Sequence, residues 1–567
     1  MKVLVVARMS DLLAGASVQL RMPSDVRALR AAGHEIVLLG ITETPWRSFR
    51  GAPPRTSEVD GVQVVRIDLP MLPGPAAGLL DALLRRALLR ALRTAGVTRP
   101  DVVHVHADAL SMTAGKVLSV VSGTPFVISA DEFDVRWIAR DRVHEPHCAQ
   151  ALLEAHAVAV SSDSAGRILR SHWVVPRIEV VPGSGRADTS EALTAVLQQA
   201  VIRADRPQMV FHAPYPLDPA PASASRHRPN MMLEAFIAAD QQPHVIVGNP
   251  QQRRQGFSDL RRRVRAGQNI EFVYSENSTQ PNLLSTSIRH GLAPLLEAAI
   301  LQWARRRGIP FGQFYRDVYW RFPEKQAHVA LYRRAVMQMM YRFDLLALLS
   351  AHAHFFIPSM PMRDIIPAPT GRCTALPPGA SVTQSERPAG LHLLYVGGVG
   401  PGHEIEESLE ALREVPEVDL TMVVPARTWQ QYRERYEPLL TPRVRVVHAG
   451  ASELPELYDR ASACLLIVEP NEYRKFAVPM KLYEYLGYGK PTLASAGTLA
   501  GDIVRQLGIG YVTGNDRREI ADLLRMLHAD PHELGDRAEH VEAVRYEETW
   551  EQRARTVRRV LTGENDA

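Results

Sequence analysis

The sequence predicts an α/β protein of three successive doubly wound units, each a parallel sheet covered by helices on both faces. Two observations carry that prediction. Short runs rich in Val and Ile alternate with stretches of helical periodicity, and the alternation restarts twice along the 567 residues. A hydrophobic content of 46% with 23% charged residues is that of an ordinary globular chain, and a formal net charge of +4 is too small to mark a nucleic-acid binder.

The first unit, residues 1–189, takes its strands from 2–6 (KVLVV), 36–39 (IVLL), 63–67 (QVVRI), 102–105 (VVHV) and 125–128 (PFVI). Helical stretches separate them, such as Ser24 to Ala32, which stops at Gly33. AVAVSSDSAGRIL (157–169) reads as strand then helix, and IEVVPGSG (178–185) as strand then turn. Residues 190–207 read as a linking helix, and the apolar start at Gln208 (QMVFHAP) opens a second unit, 208–380. A weak internal repeat relates the two. Gly123-Thr-Pro-Phe leads to Asp134-Val-Arg-Trp137, and Gly308-Ile-Pro-Phe leads to Asp317-Val-Tyr-Trp320. Residues 381–389 are polar with Pro and read as a linker. The third unit, 390–540, draws strands from LHLLYVGG, VDLTMVV, VRVVHAG, ACLLIVEP and PTLAS, and a C-terminal helix and tail occupy 541–567.

Three cysteines far apart, Cys148, Cys373 and Cys464, give neither metal-ligand spacing nor a disulfide framework, so a reducing compartment is expected. The N-terminal apolar run is too short for a signal segment and no stretch approaches 18 apolar residues, which predicts a cytoplasmic protein. Leu79 to Gly96 places Leu79, Leu80, Leu83, Leu84 and Leu88 on one helical arc and Arg85, Arg86, Arg90 and Arg93 on the other. Such a helix suits peripheral contact with an anionic membrane, or equally a domain helix with a solvated arginine face.

Two segments carry chemistry. In VGGVGPGHEIEESLEAL (396–412) a strand runs into Gly397, Gly398, Gly400 and Gly402 and then into a helix. Glycines admit a ligand close to the backbone, and a helix N-terminus offers N–H groups and a positive dipole end to a diphosphate. The acidic opening, Glu404, Glu406 and Glu407, answers that dipole without a ligand, so a turn serving packing alone is the other reading. In the second segment a strand ends at Pro470, a loop carries Tyr473, Arg474 and Lys475, and a short helix from about Met480 stops at Gly489. Lys481 and Glu484, three apart, share one helix face. A carboxylate there can hold a ribose diol and a cation can meet phosphate; a plain surface pair is the alternative.

PMKLYEYLGYGKPTLAS, from Pro479 to Ser495, resembles the donor-binding segment of family 4 glycosyltransferases, in particular their polysaccharide-biosynthesis branch. The resemblance extends in outline over the third unit, through LPELYDRASACLLI and YEETWEQRARTVRRVL, and over residues 1–189, through MKVLVVAR, LRAAGHEIVLL, DVVHVHAD and IEVVPGSG. It implies the GT-B fold of Rossmann-like sheets, with 208–380 and 390–540 as the working pair and an extra glycosyltransferase-like domain before them. It further implies a nucleotide diphosphate sugar donor of UDP or GDP type, Glu484 on its ribose, and Gly397 to Gly402 against its phosphates. Transfer to a hydroxyl of a carbohydrate or lipid-linked acceptor, with retention and without a metal, follows from the same resemblance; no D-x-D motif is present.

The chain departs from the family pattern at two places. Phe476 stands where many members have a glutamate, and only His403 stands where they carry an Arg and a Lys after the turn. Arg474, Lys475 and Lys481 are the available substitutes. On the acceptor side, FYRDVYWRFPEK (314–325) offers Asp317 and Arg316 for hydroxyls or phosphate, with aromatic neighbours able to stack on a sugar. SADEFDVRW is its counterpart in the first unit, and VYSENSTQPN (273–282) is a lesser acceptor loop. His104 and His106 read as strand-end residues rather than metal ligands. Two other functions share this fold: a catalytically silent assembly subunit, and a nucleotide-sugar epimerase.

Overall fold

A computed structural model describes residues 1–564 except 10–21, 46–48, 50, 72–79, 98, 141–144, 182–186, 221–223, 279, 282–292, 317, 322–330 and 367. The chain forms two compact bodies, Met1–Phe311 with Arg342–Ala351, and Gly312–Tyr341 with His352–Ala567.

In the first body β1 (Lys2–Arg8), β2 (Glu35–Pro45), β3 (Arg55–Val59), β4 (Val62–Met71), β5 (Val102–His106), β6 (Phe126–Ala130), β7 (Ala157–Val160) and β8 (Ile178–Val180) form one sheet in the order β3-β4-β2-β1-β5-β6-β7-β8. Strands buried on both faces explain the continuous apolar runs of the sequence. In β1, Leu4 and Val6 enter one core while Val3, Val5 and Ala7 enter the other. The polar strand β3 was not expected from the sequence. It pairs antiparallel with β4 at the sheet edge through Asp60 and Gly61, both at positive φ (48° and 69°), the conformation a tight Asp-Gly hairpin requires.

The same body holds β9 (Gln208–His212) between β10 (Gln242–Ile246) and β11 (Ile270–Glu276), all parallel. Buried Lys116 lies 3.7 Å from Glu154 and 3.5 Å from Asp259, and Arg263 lies 3.8 Å from Glu154. This charge network joins the helices Ala109–Ser122 and Glu145–Glu154 to Pro250–Arg265. Arg177 adds a second tie, donating to the Gln242 side chain (2.7 Å) and the Gln241 carbonyl (3.1 Å).

In the helix Leu80–Thr94, Leu84, Leu88, Ala91 and Leu92 are buried in the core of the first sheet and Leu83 is half-buried, while Arg85, Arg86, Arg90 and Arg93 face solvent. Leu79 lies outside the described residues. No helix among the described residues is long and apolar enough to cross a membrane.

The second body contains β12 (Phe311–Phe314), β13 (His354–Ile357) and β14 (Cys373–Ala375), parallel and in that order. Its other sheet has β15 (His392–Val396), β16 (Asp419–Val423), β17 (Val444–Val447), β18 (Ala463–Leu466), β19 (Thr492–Ser495) and β20 (Gly510–Thr513), all parallel in the order β17-β16-β15-β18-β19-β20. The order reverses between β15 and β18, and in the first sheet between β1 and β5. Ligands of open parallel sheets bind beyond the C-terminal strand ends at such reversals. The internal repeat has a structural counterpart: Gly123 and Gly308 both take left-handed φ, 70° and 67°, just before β6 and β12.

Candidate functional site

The two segments singled out by sequence leave the sheet at the β15/β18 reversal. Gly397 to Gly402 follow β15, the loop with Arg474 follows β18, and the helix Met480–Gly487 comes next. A Cβ on Gly397 would fall 1.9 Å from Lys481 Nζ, so the ammonium fills the space the glycine leaves open. Gly400, at φ 99°, has the Tyr432 ring 2.6 Å from where its Cβ would stand.

Lys481 Nζ lies 3.3 Å from the Tyr395 hydroxyl and 4.4 Å from the centre of that ring. Burial brings its pKa down to about 8, with Glu484 pulling up and Arg474 pushing down. Burial raises the Glu484 carboxyl, while the Tyr458 hydroxyl and Lys481 draw it back. The His403 ring lies against Gly398, with its Cδ2 3.5 Å from where a Cβ would stand there. Burial, then Lys481 and Arg474, depress its pKa. Lys481, Arg474 and His403 thus converge on the glycine turn.

Arg474 works differently from Lys481. It donates to the Gly402 carbonyl at 2.9 Å and to the Glu469 carbonyl, and pairs with Glu404 at 3.6 Å, which clamps the loop onto the turn. Lys475 pairs with Glu472 on the exposed side of the loop. The acids that open the next helix are answered as well: Glu406 pairs with Arg435 at 2.5 Å. Tyr473 is half-buried and meets Phe476 edge-on at 5.1 Å. Phe476 itself is packed inside, and its carbonyl accepts from Ser359 Oγ, so this position supplies a ring and a backbone oxygen in place of a carboxylate.

Backbone amides contribute less than the glycine pattern suggests. Gly397 N–H donates to the Val423 carbonyl (2.9 Å), Gly400 N–H to the Tyr436 hydroxyl (3.1 Å), Gly402 N–H to the Glu404 carboxylate (2.6 Å) and His403 N–H to the Gly400 carbonyl (2.7 Å). The next helix begins only at Glu406. The turn therefore presents its charge chiefly through side chains.

Much of PMKLYEYLGYGKP is structural. Leu482, Tyr483, Tyr485 and Leu486 are buried, Tyr488 stacks on Tyr458 at 3.8 Å, and the Tyr485 hydroxyl accepts from Val396 N–H at 3.2 Å. The sequence missed Tyr395, whose hydroxyl donates to the Gly398 carbonyl and holds Lys481; its only signal was its place two residues before Gly397.

On the acceptor side, Arg316 is half-buried after β12 and Asp317 lies outside the described residues. Of the aromatics expected to stack on a sugar, Phe322 and the Tyr319 side chain lie outside the described residues. Phe314, Tyr315 and Trp320 are buried, the Trp320 indole N–H donates to the Tyr315 hydroxyl (3.2 Å), and Trp320 stacks on Tyr341. In SADEFDVRW the acids Asp131 and Asp134 form the capping box of the helix Glu132–Ile138. In the 273–282 loop, Glu276 is wholly buried against Arg228 (3.3 Å) and the Tyr274 hydroxyl (2.8 Å); residues 279 and 282 lie outside the described residues.

A different cluster stands at the β1/β5 reversal. His106 Nε2 is 2.8 Å from Asp25 Oδ2, and His104 Nδ1 is 3.5 Å from the same oxygen. Burial would raise the Asp25 carboxyl, yet His106 and then His104 hold it far below the usual carboxylate range. Burial lowers His104 to about 4; for His106 burial is outweighed by Asp25, which lifts it to about 9.

Both ends of the chain match known families. Residues 26–184 match the model for Glycosyltransferase Family 4, and residues 403–559 the model described as glycosyl transferase-like. The chain therefore carries two domains of glycosyltransferase type, the N-terminal one matching family 4. Solved structures with a similar course of chain include sucrose-phosphate synthase from Thermosynechococcus elongatus (16% identity, 62% of this chain and 97% of that one, TM-score 0.42). Others are WaaG, a glycosyltransferase involved in lipopolysaccharide biosynthesis (14%, 63% and 100%, TM-score 0.39), and Anabaena HepE in complex with UDP and glucose (13%, 63% and 100%, TM-score 0.43). Likenesses of that size say nothing about substrate. No curated protein matches the chain by sequence.

Proposed function

We propose that the chain moves a sugar from a nucleotide diphosphate donor, of UDP or GDP type, to an acceptor hydroxyl in cell-surface polysaccharide or glycolipid synthesis, at the cytoplasmic side. The observation that supports this most is the Lys481 ammonium packed into the space left by Gly397, one helical turn before Glu484. In this reading Lys481 meets the diphosphate, Glu484 holds the ribose, and Arg474 keeps the turn in place. The departing diphosphate carries the developing charge, and preorganised cations at that point lower the barrier. Two cationic side chains at the turn supply neutralisation from the chain itself, in keeping with retaining transfer that uses no metal at this site. Gly398, Gly400, Gly402, His403 and Tyr473 shape the donor pocket, and Arg316 with Asp317 is assigned to the acceptor.

Glu484→Ala tests the assignment in a transfer assay titrated with donor. A lost hydrogen bond to a charged group is worth about 1.5–3 kcal/mol, so the donor KM is expected to rise by roughly 10- to 100-fold. Unchanged KM and turnover would overturn it. Packed Phe476 favours one other reading, a silent assembly subunit, which would bind donor without turning it over. Product from donor alone, with no acceptor, would instead mark an epimerase.

A further inference from the structure

The cluster at the end of β5 has no part in the proposed transfer, and its chemistry is opposite to that of the glycine turn. His104 and His106 lie two apart on one strand and so present their rings to the same face, with centroids 5.6 Å apart. Asp25, from the first turn of the helix Ser24–Ala31, reaches that face. One donor atom from each of the three residues lies within 4.8 Å of the others.

An ordinary buried Asp–His hydrogen bond accounts for the 2.8 Å contact between His106 and Asp25. It leaves His104 unexplained. That ring is wholly buried, and its Nε2 is held by the Ser129 hydroxyl at 2.7 Å. Its Nδ1 then points at the Asp25 carboxylate from 3.5 Å without a hydrogen-bond partner among the described residues. A buried polar atom left in that state is destabilising. A metal-binding histidine has just this arrangement, its far nitrogen fixed by a neighbour so that the near one is aimed.

We propose that Asp25, His104 Nδ1 and His106 Nε2 bind a divalent transition-metal ion of the zinc class. Bonds of about 2.0–2.2 Å in tetrahedral geometry set ligand atoms roughly 3.3–3.6 Å apart. The Asp25–His104 edge already has that length, and the Asp25–His106 edge must open by about half an ångström to reach it. Two imidazoles and one carboxylate leave coordination positions open for water or a ligand. The side chains of His106 and Asp25 keep 24% and 20% of their surface exposed, which gives an ion a way in.

The test uses the full chain, stripped with a chelator and titrated with Zn²⁺ by calorimetry and with Co²⁺ by visible absorption. One equivalent of each ion is expected to bind, with Co²⁺ giving the intense visible bands of a low-symmetry, low-coordinate site. Asp25→Asn keeps the shape and is expected to lose these bands and weaken Zn²⁺ at least tenfold, with circular dichroism unchanged. His106→Gln, at the more exposed ligand, serves should Asp25→Asn fail to fold. Absence of stoichiometric binding overturns the proposal, as does binding that survives in both variants. None of these readouts depends on sugar transfer, so their failure leaves the glycosyltransferase reading standing.

Discussion

The β15/β18 reversal and the β1/β5 reversal occupy the same place in two parallel sheets, yet they carry opposite chemistry. The first has glycines, a half-buried lysine and an arginine, and suits an anion. The second has a carboxylate between two imidazoles, and suits a cation. Topology fixes where a crevice forms; a handful of side chains decides what enters it. The two sites also differ in where their ligating groups come from. Lys481 and Glu484 sit on one helix face, whereas Asp25 and His106 are 81 residues apart in sequence.

The strongest way to separate the two regions is to unfold one of them. Lys116→Ala removes the buried cation shared by Glu154 and Asp259 in the first body, which keep only Arg263 and Arg262 as partners, at an expected cost of up to about 3–5 kcal/mol. Thermal unfolding should then lose its first transition early, while nucleotide affinity before that transition stays as in the wild type. A common fall in both would show that the bodies are not independent.

Gly397→Ala sharpens the anion side. Its methyl group would occupy the position of the Lys481 ammonium, so donor affinity is expected to drop by roughly 10- to 100-fold, the value of a charge-assisted contact. Calorimetric titration with a nucleoside diphosphate measures it, and an unchanged Kd would show that the ammonium does not touch the ligand.

The pH dependence is a smaller effect with a definite sign. Lys481 has a pKa of about 8 in the free fold against its ordinary 10.5, so binding must recharge it above pH 8. Donor affinity is expected to fall by up to about tenfold per unit as pH rises above 8, because each unit of protonation work is about 1.4 kcal/mol. Stability responds oppositely: the burial penalty on the ammonium acts in full below pH 8 and is relieved between 8 and 10.5, so this group's contribution rises over that window. Affinity that stays flat from pH 7 to 10 would remove Lys481 from the site.

The sheets were legible in the sequence because strands buried on both faces are unbroken apolar runs, as in β1 and β15. The exposed edge strand β3, Arg-Thr-Ser-Glu-Val, gave no such signal. Lys481 and Glu484 were legible because helical spacing is local. Tyr395 was not, since a buried tyrosine in a strand reads as core, and the use of the turn's amides within the protein depends on Tyr436 and Val423, which arrive from elsewhere in the chain. For the arginine-face helix, periodicity shows that an apolar arc exists, and packing shows that Leu84 and Leu88 enter the core.

In the proposed reading the β15/β18 end holds a nucleotide diphosphate sugar through Lys481. Thermal shift of the wild type and of Lys481→Ala against a panel of UDP and GDP sugars tests it most directly, because a ligand that prefers the folded state raises its apparent stability. A saturable rise for one base class is expected in the wild type, with most of that rise lost in Lys481→Ala. No rise with any member of the panel, or an equal rise in both proteins, would contradict it.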